Sequence, residues 1–369
     1  MKSMKKMMLL ICAQACSLTG GYVQTAVLSW VAADLGGGLY SLSAYLLACY
    51  LPVAVLSYPF GRWLDQRPQK GWLLLSETVL AVLSFVLWRR AENLTFPFLL
   101  GFGALWGVVR AFQTPIYQSL PRRLTEKLSK GTALLTAVTY AARGVGPILG
   151  GLLYQKWGAG PPFLLNFISF IPSVIFLAFL RLPEPQKSTK IRLRKWLLPL
   201  GKIFLVSFFA VNYNVTFVAL VKEAGMGSGS YGFALGLLGA GALMGFALKK
   251  HLPQKFLVAG MGLLNLALAF FSGLWLRGLC ILLYGILDFG FFSTALYRLS
   301  KAAQKEEITS VMGLYTVVTV GAMPLGALFW SAVSKAWGLQ TALAVIGGGL
   351  ILLFLIFKGD MHEKRTQNF

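Results

Sequence analysis

Apolar residues run along this chain in long stretches, each stopped by a short cluster of glycine, proline or charge. A helix needs about 20 apolar residues to cross the hydrocarbon core of a bilayer, and twelve stretches approach or exceed that length. They lie at residues 7–33, 42–60, 71–88, 95–118, 130–155, 161–181, 197–221, 231–248, 255–274, 277–298, 308–334 and 339–357. The pattern predicts an all-α polytopic membrane protein with twelve transmembrane helices. An even number of spans places both termini on one side.

Composition agrees with that picture. With 57% apolar and 12% charged residues and a mean hydropathy of +0.69, the chain lies outside soluble globular usage. A net charge of +22 would fit nucleic acid if it formed one patch, but the basic residues are scattered in clusters between apolar runs. They point to a lipid surface, with no nucleic-acid partner. Of the 34 lysines and arginines, twenty-six fall on the side of the termini, six on the other, and Arg110 and Arg143 fall inside spans. That bias predicts cytoplasmic termini in the inner or plasma membrane of the cell. The first twenty residues, with Lys2, Lys5, Lys6 and Ala13-Gln14-Ala15-Cys16, have features of a signal peptide. Apolar character continues through residues 22–33, which favours an uncleaved first span.

Four cysteines, all inside apolar runs, read as small core residues, and two histidines beside basic loops form no metal cluster. Neither a P-loop nor a nucleophile motif occurs. No enzyme activity, metal or cofactor is expected, and the sequence shows no means of using ATP. The chain is expected to be a monomer.

The longest polar segment falls at the midpoint and is rich in Pro, Lys and Arg. It divides the chain into 1–182, a cytoplasmic linker at 183–196, and 197–369. Thr136-Ala137-Val138-Thr139 recurs as Thr316-Val317-Val318-Thr319, and Gly146, Trp157 and Gly158 recur as Gly326, Trp337 and Gly338, displaced by 180. Gly61 to Leu64 and Pro68-Gln69-Lys70 are echoed by Gly245 to Leu248 and Pro253-Gln254-Lys255, displaced by 184 and 185. Such spacing, near half the length, indicates two like-built halves of six spans.

Between the second and third spans, Gly61, Asp65, Arg67 and Lys70 form a charged hairpin tip. An ordinary positive-inside loop would look similar. The stretch resembles motif A of the major facilitator superfamily, G-x-L-x-D-R-x-G-R-R. Trp63, Gln66, Pro68 and Gln69 depart from that pattern, and Arg67 stands one place after the missing arginine. The resemblance implies two pseudo-twofold-related six-helix bundles. It also implies a conformational latch in which Asp65 faces the start of the eleventh span near residues 307–310, where exposed helix amides favour an anion.

In the fifth span, Gly146-Pro147-Ile148-Leu149-Gly150-Gly151 resembles motif C, with Ala142 in place of its first glycine. Small residues at this spacing let helices touch backbone to backbone, and generic small-residue packing would read the same way. Within the superfamily the motif is associated with exporters. Gln113 to Pro121, Arg143 and Asn166-Phe167-Ile168-Ser169-Phe170 resemble the branch that includes enterobactin-type siderophore exporters and macrolide efflux proteins. That branch commonly carries an acidic residue after the first-helix glycine, and Gly20-Gly21-Tyr22 has none.

Ionisable groups deep in a span are costly and therefore candidates for function. Asp288, Arg143, Arg110 and Glu77 are the charge-coupling candidates, with Asp288 as protonatable group and Arg143 or Arg110 as counter-charge or partner of an anionic substrate. A static structural pair is the alternative. Arg110-Ala111-Phe112-Gln113 resembles the R-x-x-Q of motif B but is placed by the apolar pattern near the end of its span, so that match is set aside. Tyr22, Gln24, Gln113, Asn212, Tyr213, Asn214 and Tyr315 are the candidates to line a substrate cavity, which in the superfamily is built by helices one, four, seven and ten. Aromatics beside a few hydrogen-bonding groups suit a bulky amphipathic solute. The expected function is alternating-access secondary transport, in the form of proton-coupled efflux of a siderophore or drug-like molecule. A facilitator-type importer or lysolipid transporter on the same fold is the first rival, and a membrane scaffold or enzyme the second.

Overall fold

A computed structural model describes residues 2–64, 66–124, 128–182, 193–248, 252–304 and 307–356. Among them are thirteen α-helices and no strand. A chain crossing lipid must satisfy its own backbone, and helices do so within each segment. The first six spans are α1 (Lys2–Leu35), α2 (Leu39–Leu64), α3 (Gln69–Arg89), α4 (Phe96–Leu124), α5 (Leu128–Trp157) and α6 (Gly160–Phe179). The seventh is split into α7 (Leu193–Ala210) and α8 (Tyr213–Glu223). The rest are α9 (Ser228–Leu248), α10 (Gln254–Phe270), α11 (Leu274–Ala302), α12 (Ile308–Trp337) and α13 (Leu339–Ile356). Nine spans among the described residues are long and apolar enough to cross a membrane, α10 and α13 being apolar but shorter.

Span limits read from the apolar pattern lie within a few residues of the helix ends, with departures that include the fourth, ninth and seventh spans. The fourth helix runs to Leu124 rather than residue 118, because its polar end is kept from lipid: Gln113 and Ser119 are buried and Thr114 and Gln118 border the cavity. The ninth stops at Phe270, not residue 274. The seventh is interrupted at Val211–Asn212. There the carbonyl of Phe208, which an uninterrupted helix would give to the Asn212 amide, accepts instead from Asn212 Nδ2 and, at 3.1 Å, from Trp330 Nε1. Side chains competing for a helix carbonyl are an established cause of such a break.

The internal echoes correspond to equivalent structure. Gly158 and Gly338 both end their helices with positive φ, +76° and +85°, and each amide bonds the carbonyl four residues back at 2.9 Å. Glycine is the residue that closes a helix in this way without strain. Pro68 and Pro253, both extended, open α3 and α10. Gly146 of α5 packs on the backbone of α1 at Thr19 and Val23, and Gly326 of α12 packs on Phe208 and Asn212 at the end of α7. The fifth and eleventh spans thus hold the first and seventh in the same way, as expected of two pseudo-twofold-related six-helix bundles.

The halves meet along two long helix pairs, α2 with α12 and α5 with α9. We call the end where α1 starts and α2 turns into α3 the proximal end, and the opposite end distal. The proposed linker falls largely outside the described residues, as does Asp65. The N-terminal stretch with signal-like features lies within the continuous helix α1, packed on α5 and α6. Cys49 and Cys280 are buried, while Cys12 and Cys16 are half-buried.

Candidate functional site

A cavity of about 360 Å³ lies between the halves. The first, fourth, seventh and tenth spans all contribute side chains to it, joined by the second, fifth, eighth and eleventh. From the distal side, Ala26 and Asn214, it extends past Tyr22, Arg110, Arg143, Tyr213 and Tyr315 to Gln14, Gln118 and Leu135 on the proximal side.

Two charged constellations border it. In the first, Arg143 of α5 reaches across to Asp288 of α11, with Nη1 3.4 Å from Oδ2. Tyr140 donates its hydroxyl to the same oxygen at 3.3 Å. The guanidinium lies over the Tyr213 ring, 4.3 Å from its centroid, and 5.3 Å from that of Tyr140. Asp288 is 1% exposed, and its Oδ1 makes no hydrogen bond, nor does Arg143 Nη2. One long, single-pronged contact joins two groups capable of a bidentate pair.

The second constellation runs outward from the cavity. Arg110 Nη1 donates to Gln113 Oε1 at 2.6 Å, and Gln113 Nε2 donates to Glu77 Oε1 at 2.9 Å. Tyr117 donates to the same oxygen at 2.8 Å, and the Ser17 and Ser173 hydroxyls flank the carboxyl. Glu77 and Gln113 are fully buried. Arg110 is fifteen residues into a 29-residue helix and lines the cavity, so its placement near a helix end, inferred from the shorter fourth span, is corrected. Gln113→Leu should leave Arg110 and Glu77 each short of a partner. Unmet buried polar groups cost about 1–3 kcal/mol each, so a lower thermal midpoint of the purified protein is expected, measured against Thr78→Ala on an exposed face.

Four of the seven cavity candidates, Tyr22, Tyr213, Asn214 and Tyr315, line the space. The other three lie behind its wall. Gln24 accepts from Asn166 at 2.8 Å, Gln113 forms the bridge just described, and Asn212 shapes the helix break. The apolar pattern gives depth along a span but not rotation about its axis, so buried polar residues facing a neighbouring helix are indistinguishable from those facing the cavity. Gln118, of the Gln113 to Pro121 stretch, also lines it, as do Tyr50, Trp106 and Tyr140, which as single residues carry no motif.

Backbone contact joins the halves at the proximal end. A Cβ on Gly61 would lie 2.8 Å from the Thr309 carbonyl oxygen, and one on Gly313 2.6 Å from that of Ser57. Gln69 is buried and donates to the Leu64 carbonyl at 3.1 Å and to Thr309 Oγ1 at 3.4 Å. Gly61 and Gln69, on either side of the turn, therefore sit against the start of α12. Arg67 lies 4.4 Å over the Trp63 ring, and Lys70 reaches the Ala178 carbonyl near the end of α6 at 2.6 Å. Thr316 and Gln118 add a bond across the halves at 3.1 Å.

Motif C packs on both sides. Gly146 and Gly150 lie on α1, where a Cβ on Gly150 would come 2.5 Å from the Val23 carbonyl oxygen. Gly151 lies on α9, 2.6 Å by the same measure from the Ser228 carbonyl oxygen, and a Cβ on Gly232 would clash with the Pro147 carbonyl. Gly144 meets Gly239 farther along. At the distal end Lys222 pairs with Asp34 at 2.6 Å and lies 5.3 Å over the Trp30 ring, which in turn packs on Tyr231. Ser43 and Ser331 join α2 to α12 at 2.8 Å.

Twelve spans in two related bundles around a polar and aromatic central cavity define the fold of a membrane transporter. The chain belongs to the Major Facilitator Superfamily, whose family model matches residues 10–327. No curated protein matches it in sequence. Among solved structures, the human organic anion transporter MFSD10 (TETRAN) is similar over 97% of this chain and 100% of its own, at 15% identity and a TM-score of 0.79. A bacterial homologue of the iron transporter ferroportin, in its outward-facing state, is similar over 97% of this chain and 98% of its own, at 18% identity and a TM-score of 0.71. With soaked iron the corresponding values are 17% and 0.69, at the same coverage. At such identities these likenesses speak for the fold.

Proposed function

We propose that the protein works by alternating access as a proton-coupled exporter of a siderophore or drug-like amphipathic molecule. The observation that carries this reading is the cavity itself. It lies between two related halves, takes side chains from both, and has a volume in the range of small-molecule sites. The α2–α12 and α5–α9 contacts give the bundles surfaces on which to rock. Asp288 is the proposed proton carrier, because protonation would release Arg143 from its single contact. The 61–70 turn, with Gly61 and Gln69 set against the start of α12, is the proposed latch, and the basic bias of the proximal side supports a cytoplasmic position for it in the cell membrane. The export direction rests on the likeness to motif C. An importer or lysolipid transporter would share the fold and differ in direction.

Uptake of fluorescent drugs and siderophores into inverted vesicles, with and without an imposed pH gradient, tests the reading. Gradient-dependent accumulation is expected, and Asp288→Asn should abolish its response to the gradient. Unchanged gradient-driven uptake in that variant would remove Asp288 from the coupling step, and accumulation only in right-side-out vesicles would reverse the direction.

A further inference from the structure

Charge around the cavity is unevenly matched. Arg110 and Arg143 both line it, and none of the described lining residues is Asp or Glu. Asp288 lies behind Arg143, 1% exposed, and engages it through one oxygen. The Arg143 guanidinium keeps Nη2 without a hydrogen bond. Among the described residues Arg110 meets no carboxylate directly, since Gln113 stands between it and Glu77. A guanidinium in a partly desolvated site with donors unused is costly unless an anion completes it, and its planar fork matches a carboxylate in particular.

The cavity that holds the two arginines is rich in aromatic side chains. Tyr22, Tyr50, Trp106, Tyr140, Tyr213 and Tyr315 all face the space. Arg110 lies 5.1 Å over the Trp106 ring and Arg143 4.3 Å over that of Tyr213, so each cation is held beside a ring against which a planar ligand can stack.

From this arrangement we infer that the cavity takes an aromatic organic anion, with its carboxylate or other acidic oxygens on Arg143 and Arg110 and its ring among the tyrosines. This rests on the transporter reading and names the substrate class for it. An aromatic cation is disfavoured by the same two charges, with no carboxylate among the described lining residues to receive it.

Binding separates this inference from transport. With the full-length protein in phosphatidylcholine nanodiscs, 5-carboxyfluorescein should bind saturably by fluorescence anisotropy, and the cation rhodamine 6G at least tenfold more weakly. Arg110→Gln should weaken carboxyfluorescein binding at least tenfold. Arg143→Gln with Asp288→Asn should do the same. That double variant leaves net charge unchanged, so a loss reports the local guanidinium rather than the overall field. Asp288→Asn alone frees Arg143 and should tighten binding. Tighter binding of rhodamine 6G, no binding of carboxyfluorescein, or unchanged affinity in the Arg143/Asp288 double variant would each overturn the inference. Selective binding without flux in proteoliposomes would uphold the substrate class and overturn the transport reading alone.

Discussion

Arg143→Gln should destabilise the protein by about 3–5 kcal/mol, the usual cost of leaving one member of a buried ion pair without its partner. Asp288 is 1% exposed, accepts one further bond from Tyr140 and, among the described residues, meets no second cation. The removal is therefore felt in full. Adding Asp288→Asn should recover most of the loss, because a neutral pair of similar shape carries little desolvation penalty. Thermal unfolding of the wild type, both single variants and the double variant in one detergent closes the cycle. Independent, additive losses would mean that the 3.4 Å contact contributes nothing to the fold.

Gly151→Val should have an effect of similar size by a different route. A Cβ there would stand 2.6 Å from the Ser228 carbonyl oxygen and 3.1 Å from the Gly232 Cα, both backbone atoms of a helix in the other half. Neither can turn aside as a side chain could, so α5 and α9 must separate. In lipid, close packing is the main attraction between helices, and overpacking costs about 1–3 kcal/mol even before contacts along the seam are lost. A lower thermal midpoint is expected together with at least tenfold slower substrate flux in proteoliposomes. Gly348→Ala is the control, since a Cβ at Gly348 meets nothing within 4 Å. If Gly151→Val transports and melts like that control, the α5–α9 seam is not a rigid contact.

The number of spans was legible in the sequence because hydrocarbon thickness imposes a minimum length on every apolar run. The halves were legible because the repeated residues sit where geometry leaves few choices. Gly158 and Gly338 close helices with positive φ, and Pro68 and Pro253 open them. The break at Asn212 was not legible, since it depends on Trp330, 118 positions later, reaching the Phe208 carbonyl. Motif C was readable in α5, but its partners Gly232 and Gly239 were not, because small residues are frequent in α9 and spacing alone does not say which face meets which helix. The candidate site was half visible for the same reason. Arg143 and Asp288 stand out as charges in apolar runs, whereas the separation of Tyr213 from Asn212, one on the cavity and one behind it, is decided by where a helix restarts.

That restart has a mechanical corollary. Tyr213, under the Arg143 guanidinium, and Lys222, joined to Asp34 at the distal mouth, lie on a single rod of eleven residues, separated by about 14 Å at 1.5 Å of rise per residue. A stiff rod hinged at the 211–212 break turns as one body, so a tilt imposed by a ligand beneath Arg143 is carried to the outer clasp, and the two are readings of one angle.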